Sequence, residues 1–280
     1  MKIEQSPFEK QNQEKKLKNF LGLISENLKK EGVPVTSDCR IDIDCFSEIY
    51  SLTEIENDKK EIEKLKEKFQ TEEKEELETK KWKKNPERAL EMEEEKKEKL
   101  GEKLEMLKTA IFSKNLGKDF LVVRTSLYDD IKNRVDNLIL NKETSEPICA
   151  FDEVADTMDT RYRQKSEKVL ERNKKEGGGK LKYGIKIEKD GKLTLGKIEN
   201  IPLFYLVLPP RHIEEGEKQL LFSFEQKSDY EEKLFNYFLS SLFHQINYLK
   251  LEKKLNLDLK KRVESFEKNI GEFFSQKVVF

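Results

Sequence analysis

Residues 134–154, RVDNLILNKETSEPICAFDEV, hold two short apolar runs joined by a polar turn, with an aspartate at the outer end of each run. Apolar, β-rich runs bounded by turn residues read as strands, and NKETSEP over 141–147 supplies the turn. If the hairpin folds symmetrically about Thr144, residues whose numbers total 288 face one another, and Asp136 meets Asp152. Facing residues of an antiparallel pair have Cβ atoms about 4.5–5.5 Å apart, and like charges there repel. Such a pair needs a cation beside it or one acid protonated. Hard Mg²⁺ suits the first solution, because it takes one or two carboxylates together with water and phosphate oxygens. The alternative is a shifted register that leaves both acids at wet strand ends, since turn type sets register.

The same style of segment recurs around this hairpin. FLVVRTSLY, KLKYGIKI and PLFYLVL are short and β-rich, and a helical stretch lies between Arg161 and Lys175. Strands bracketing a helix point to an α/β class with a mixed central sheet flanked by helices. Lys16–Lys30 carries Leu17, Phe20, Leu21, Ile24 and Leu28 on one helical stripe and stops at Gly32 and Pro34. In 35–52 alternation around Cys39, Ile41, Ile43 and Cys45 suggests a half-exposed strand or a short helix approach. Tyr230–Leu251 has a wide apolar face, and a further helix is expected over about 258–274.

Composition divides the chain further. Of 280 residues 40% are charged and 35% hydrophobic, so part of the length has no thick core. That part is 54–109, nearly all Glu and Lys, broken by Asn85-Pro86. Narrow stripes through Ile55, Ile62, Leu65, Phe69 and Leu77, then Leu90, Leu100, Leu104 and Leu107, predict a long antiparallel helical hairpin with coiled-coil-like packing. The expected organisation is a core from 1–53 and 110–280 with 54–109 inserted. Balanced charge there reads as a solvated spacer or as an arm for a protein partner or self-association.

Net charge is −1, so a nucleic-acid role requires a local basic patch. No run of eighteen apolar residues occurs and the N-terminus lacks a signal-peptide core, which predicts no membrane association and a cytoplasmic protein. Three cysteines and two histidines give neither a disulfide framework nor a zinc site. The basic patch is the stretch with Arg161, Arg163, Lys165, Lys168, Arg172, Lys174, Lys175, Lys180 and Lys182. It reads as a DNA- or RNA-binding surface or as a solvated helix face, because Glu167, Glu171 and Glu176 interrupt it. Asp129 and Asp130 read as a turn or helix cap, Gly177–Gly179 as a helix-ending turn, and His212 and His244 as packed or rim histidines.

LYDDIKNRVDNLIL, a variable turn, ICAFDEV, a polar helix and a further strand together resemble the core of the PD-(D/E)XK nuclease-like superfamily over about 120–208. The resemblance implies Asp136 as the first motif acid, Asp152 as the second, and Glu26 or Glu48 as the added helical acid of some members. It implies hydrolysis of a phosphodiester of DNA or RNA with Mg²⁺ or Mn²⁺. The family's lysine would stand two residues after Asp152, where this chain has Val154. Some members carry that amine on the following helix, which makes Lys165 or Lys168 its counterpart. The departure at Val154 also leaves open a catalytically degenerate member that binds nucleic acid or protein through the helical arm.

Overall fold

The computed structural model describes residues 7–81, 87–143, 147–154, 160–188 and 192–275. Helix α1 (Pro7–Lys30) leads into a short bridged loop and a 3₁₀ turn at Ile43–Phe46, then α2 (Leu52–Lys81) and α3 (Glu87–Leu116). There follow β1 (Phe120–Arg124), α4 (Leu127–Asn133), β2 (Asn137–Asn141), β3 (Pro147–Val154) and α5 (Thr160–Glu171). The chain continues through β4 (Gly179–Ile187), β5 (Leu193–Ile201), β6 (Leu203–Val207), α6 (Pro210–Gln219), α7 (Asp229–Leu251) and α8 (Leu257–Ser275).

The central sheet has the order β1-β2-β3-β6. β1, β2 and β3 are antiparallel neighbours, while β3 and β6 run parallel. A parallel neighbour needs a crossover, and α5 lies within it. β4 and β5 form a separate antiparallel ribbon inserted in the same crossover. The chain is therefore mixed α/β, with a mixed four-stranded sheet and helices around it.

Core packing explains these positions. Phe112 of α3 stacks on Phe151 of β3 at 5.5 Å and meets Phe235 and Phe238 of α7. Phe204 of β6 packs on Phe266 of α8. The inner end of α3 belongs fully to this core, with Leu104, Leu107, Ala110 and Ile111 buried, and Ile55 and Ile62 of α2 are buried as well. Core membership thus reaches back across the 109/110 boundary drawn from composition. Phe69, Leu77 and Leu90, which define the outer part of the expected hairpin stripe, lie outside the residues whose side chains are described.

Both margins of the sheet are covered. Beside β1, the Arg124 N–H donates to Cys39 O and the Ile41 N–H to Arg124 O, each at 2.9 Å. Beside β6, two side-chain amides stand in for a missing strand. Asn173 accepts from the Leu203 N–H at 3.0 Å and donates to Leu203 O at 2.6 Å. Gln245 accepts from the Tyr205 N–H at 3.1 Å and donates to Tyr205 O at 2.8 Å. The Tyr237 hydroxyl donates to Val207 O at 3.0 Å.

The turn after α5 ends in a single π turn, Arg172–Glu176, closed by Gly177 at φ 76°. Gly178 follows at φ 99°, and a Cβ there would lie 2.3 Å from Ile201 O. Only glycine fits, because the left-handed backbone and the close approach of β5 coincide. This helix-ending turn sets Lys180 at the start of β4 on the same side as α5's basic face.

Candidate functional site

The site begins with hairpin register. Asn137 pairs with Phe151, Leu138 with Ala150 and Ile139 with Cys149, each pair totalling 288. A bulge between Ile139 and Leu140 breaks that count on the turn side. The ladder's outermost pair is Asn137 with Phe151, and the Asp136 N–H donates to Phe151 O at 2.8 Å, so Asp136 meets Phe151 rather than standing level with Asp152 as the symmetric count expects. Both acids are nearly buried, at 8% and 6% exposure.

Alternation assigns the neighbours. Asn137 and Phe151 face α3, where Asn137 donates to Thr109 Oγ1 at 2.8 Å and Lys108 Nζ sits 4.8 Å over the Phe151 ring. Asp152, next along the strand, faces the other way toward α5, and Lys165 Nζ lies 2.6 Å from its Oδ1. The Lys165 ammonium thus compensates the Asp152 carboxylate directly.

Asp136 stands in the most acidic surroundings of the site. Burial, then Asp130, Asp152 and Glu105, push its carboxyl well above the usual carboxylate range, with Lys165 acting in the opposite sense. Oxygens of Glu105, Asp130 and Asp136 all lie within 4.8 Å of one another. Two arginines already serve the outer members of that group. Arg40 donates to Asp130 at 2.8 Å and Glu105 at 3.0 Å, and Arg124 donates to Glu105 at 2.7 Å. Of these three acids, Asp136 also lies in the field of Asp152, whose own partner is Lys165.

Lys165 has a defined protonation state. Burial works to lower its pKa, but Asp152 and Asp136 outweigh burial and raise it. It is an ammonium at neutral pH. It can orient Asp152 or neutralise developing negative charge; it cannot act there as a general base.

Asp152 and Lys165 open onto a cleft of about 470 Å³ between α4, α5 and the start of β4. Its walls carry Lys132, Arg134, Lys168, Arg172 and Lys180, against Glu171 and Glu176. A recessed acid pair behind a predominantly basic mouth can hold a phosphate group close to a carboxylate-bound cation.

The expected site residues divide as follows. Lys165 stands in the acid pair, while Lys168, Arg172 and Lys180 line the cleft. Lys174 lies on another side, held by Tyr248 and Glu252, and Lys175 pairs with Glu171 in solvent. Arg163 is exposed, and the side chains of Arg161, Glu153 and Val154 lie outside the described residues. Glu26 and Glu48 are exposed and are not members of the carboxylate group; Glu105 of α3 takes that place. Asp129 serves the fold, accepting from the Lys182 and Tyr183 N–H groups, and Ser126 caps its helix.

Glu105, Asp130, Arg40, Lys132 and Arg134 were not singled out as site residues. Glu105 sits among glutamates of identical chemistry, and only its position on the inner turn of α3 distinguishes it. Asp130 had a signal, its adjacency to Asp129 just upstream of the strand. No family model, curated protein or solved structure matches the chain.

Proposed function

We propose that the protein is a metal-dependent phosphodiesterase acting on DNA or RNA, with Asp136 and Asp152 as the acids that hold Mg²⁺ or Mn²⁺. The observation carrying this reading is Asp152 with Lys165 upon it at the back of a basic cleft, with the Asp136 carboxyl in the field of Asp152. The residues fit a divalent cation because carboxylate oxygens of Glu105, Asp130 and Asp136 lie within 4.8 Å of one another and Asp152 adds to the negative field at Asp136. Once bound, the ion would polarise a phosphoryl oxygen and lower the pKa of its water.

The chain's own residues do the rest. Lys168, Arg172 and Lys180 hold the sugar-phosphate backbone at the cleft mouth. Lys165 fixes the Asp152 carboxylate and offers positive charge toward the phosphate. Arg40 and Arg124 keep Glu105 and Asp130 in place, which fixes the negative field at Asp136. The order α3, β1, β2, β3, α5, β6 and the paired acids support the resemblance to the PD-(D/E)XK superfamily, with Lys165 standing for the lysine displaced from position 154. The outer parts of α2 and α3 are read as a coiled-coil-like arm for self-association or a protein partner, and sparse cysteine usage supports a cytoplasmic setting.

The test is cleavage of labelled DNA and RNA with Mg²⁺ or Mn²⁺, compared with Asp152→Asn, alongside calorimetric titration of Mn²⁺. Metal-dependent cleavage lost in the variant supports the proposal. No cleavage, with Mn²⁺ binding identical in both proteins, removes it.

One observation favours a second reading. The Lys165–Asp152 pair neutralises the second acid without any metal, as expected of a degenerate site that binds nucleic acid without cutting it. Salt-dependent binding with no cleavage under any divalent ion would select it.

A further inference from the structure

A second concavity lies across α5 from the basic cleft. Consecutive residues of that helix divide the two, Val169 facing the cleft and Leu170 facing a groove of about 600 Å³. The groove is built from Leu170, Tyr205, Val207, Tyr237, His244 and Tyr248. Its size is that of a pocket for one small planar group.

Register ties the groove to the acid pair. In the parallel β3/β6 ladder Asp152 is the partner of Tyr205, so one strand step separates the metal-binding carboxylate from the groove floor. The rings of Tyr237 and Tyr248 are held open to solvent, each 45% exposed. Neither is loose. The Tyr237 hydroxyl is tied to Val207 O at 3.0 Å, and Lys174 donates to the Tyr248 hydroxyl at 2.9 Å while lying 5.0 Å over the same ring. Anchored, exposed aromatic faces cost little entropy on binding and stack on bases without regard to sequence.

The recessed acids make an independent point. Asp136 and Asp152 are almost entirely covered, and Asp152 opens onto a cleft of about 470 Å³ among the described residues. A duplex presents its phosphates on a broad cylinder and cannot lower one into such a cleft without distortion. A single strand can, with its base turned away from the phosphate.

We infer that the substrate is single-stranded nucleic acid, with a base near the reacting phosphate lodged in the Tyr205/Tyr237/Tyr248 groove while its backbone lies in the basic cleft. This inference rests on the phosphodiesterase reading for its substrate class. The groove supplies unpaired-strand selectivity, and the cleft supplies electrostatic attraction common to any nucleic acid.

The experiment is fluorescence anisotropy with the full chain in EDTA, using labelled single-stranded DNA and RNA oligonucleotides and the matching duplexes. Single strands should bind at least about ten-fold more tightly than duplexes. Tyr248→Ala and Tyr237→Ala should each weaken single-strand binding by about 5- to 150-fold, the range of one lost base stack, and leave duplex binding unchanged. Tyr248→Phe should retain most of the affinity. Oligonucleotides carrying 5-bromouracil should photocrosslink to Tyr237 or Tyr248, a readout independent of any variant's folding. Comparison of the DNA and RNA arms assigns the sugar. Equal affinity for duplex and single strand, or crosslinks that avoid both tyrosines, overturns the inference. Metal-dependent cutting of duplex DNA with the tyrosine variants fully active would also overturn it while leaving the phosphodiesterase reading intact. Tight single-strand binding at the groove without cleavage would sink the phosphodiesterase reading alone.

Discussion

Lys165 and Asp152 stand thirteen residues apart in the chain and 2.6 Å apart in space, on helix α5 and on strand β3, which precedes it. The raised pKa of the lysine assigns it a cationic role. Lys165→Met should lower the cleavage rate by about 10²- to 10⁴-fold. Lys165→Arg, which keeps the charge, should recover a measurable part. Steady-state rates at several pH values decide the point: a limb near pH 7 that disappears in Lys165→Arg would show the amine acting as a base.

Asp136 is a stability liability in the metal-free protein. Its folded-state pKa lies above the unfolded value, so the folded chain binds more protons between the two, and stability falls as pH rises from about 3.9 through the raised value. Asp136→Asn should therefore stabilise the protein at pH 8 by on the order of 1 kcal/mol, a few degrees in Tm, while abolishing cleavage. The gain should shrink at pH 5, where the native acid is closer to protonated. Thermal melts in EDTA at the two pH values measure both; a variant less stable than its parent at pH 8 would contradict the account of this acid.

Lys108 shows the opposite sign. Burial pushes its pKa down to about 7, with Arg124 acting in the same direction and Asp136 and Glu105 opposing. A lysine with a lowered folded-state pKa costs stability below that value, and the cost is relieved as pH climbs from about 7 toward about 10.4. Lys108→Met should stabilise by roughly 1–3 kcal/mol at pH 6 and by distinctly less at pH 10. Denaturant titrations at both pH values test it, and a pH-independent difference would count against it.

Cleft cations should be separable from surface ones. Lys168→Ala and Lys180→Ala should each weaken nucleic-acid binding and reduce the slope of log K against log salt by about 0.7–0.9. Lys175→Ala, whose ammonium pairs with Glu171 in solvent, should leave that slope unchanged. Binding isotherms over a salt series read the slopes directly.

The amides beside β6 differ in depth, and so should their variants. Asn173 is fully buried and serves both backbone groups of Leu203. Asn173→Leu should cost roughly 2–4 kcal/mol by leaving two buried groups unsatisfied. Gln245→Leu, at the wall of the open groove, should cost about 1–2 kcal/mol because water can reach Tyr205. Chemical denaturation, with hydrogen exchange at the Leu203 amide, checks the difference.

Much of the sheet was legible. Counting outward from Thr144 yielded the pairing that the ladder has from 137/151 to 139/149, whereas nearer the turn Leu140 pairs with Pro147. β1 and β6 are continuous apolar runs and stood out. β5 did not, because most of Leu193–Ile201 is only partly buried and its sequence carries no strong alternation. The region of 35–52 became a bridged loop and a 3₁₀ turn, since Val35 and Ile41 pair with each other rather than in a full ladder. The carboxylate group was half visible. Asp152 announced itself by its position in a strand and Asp136 by its place just before one, whereas Glu105 is one of many glutamates and gains meaning only from the turn of α3 that reaches the sheet. Neither sheet margin was readable, because Asn173 and Gln245 act from helical segments 30 and 40 residues from their partners.

The amide groups of Asn173 and Gln245 also bear on how this chain meets other molecules. With Leu203, Tyr205 and Val207 of β6 bonded to side chains and Arg124 of β1 bonded to Cys39 and Ile41, these positions of the central sheet disfavour the addition of a foreign strand.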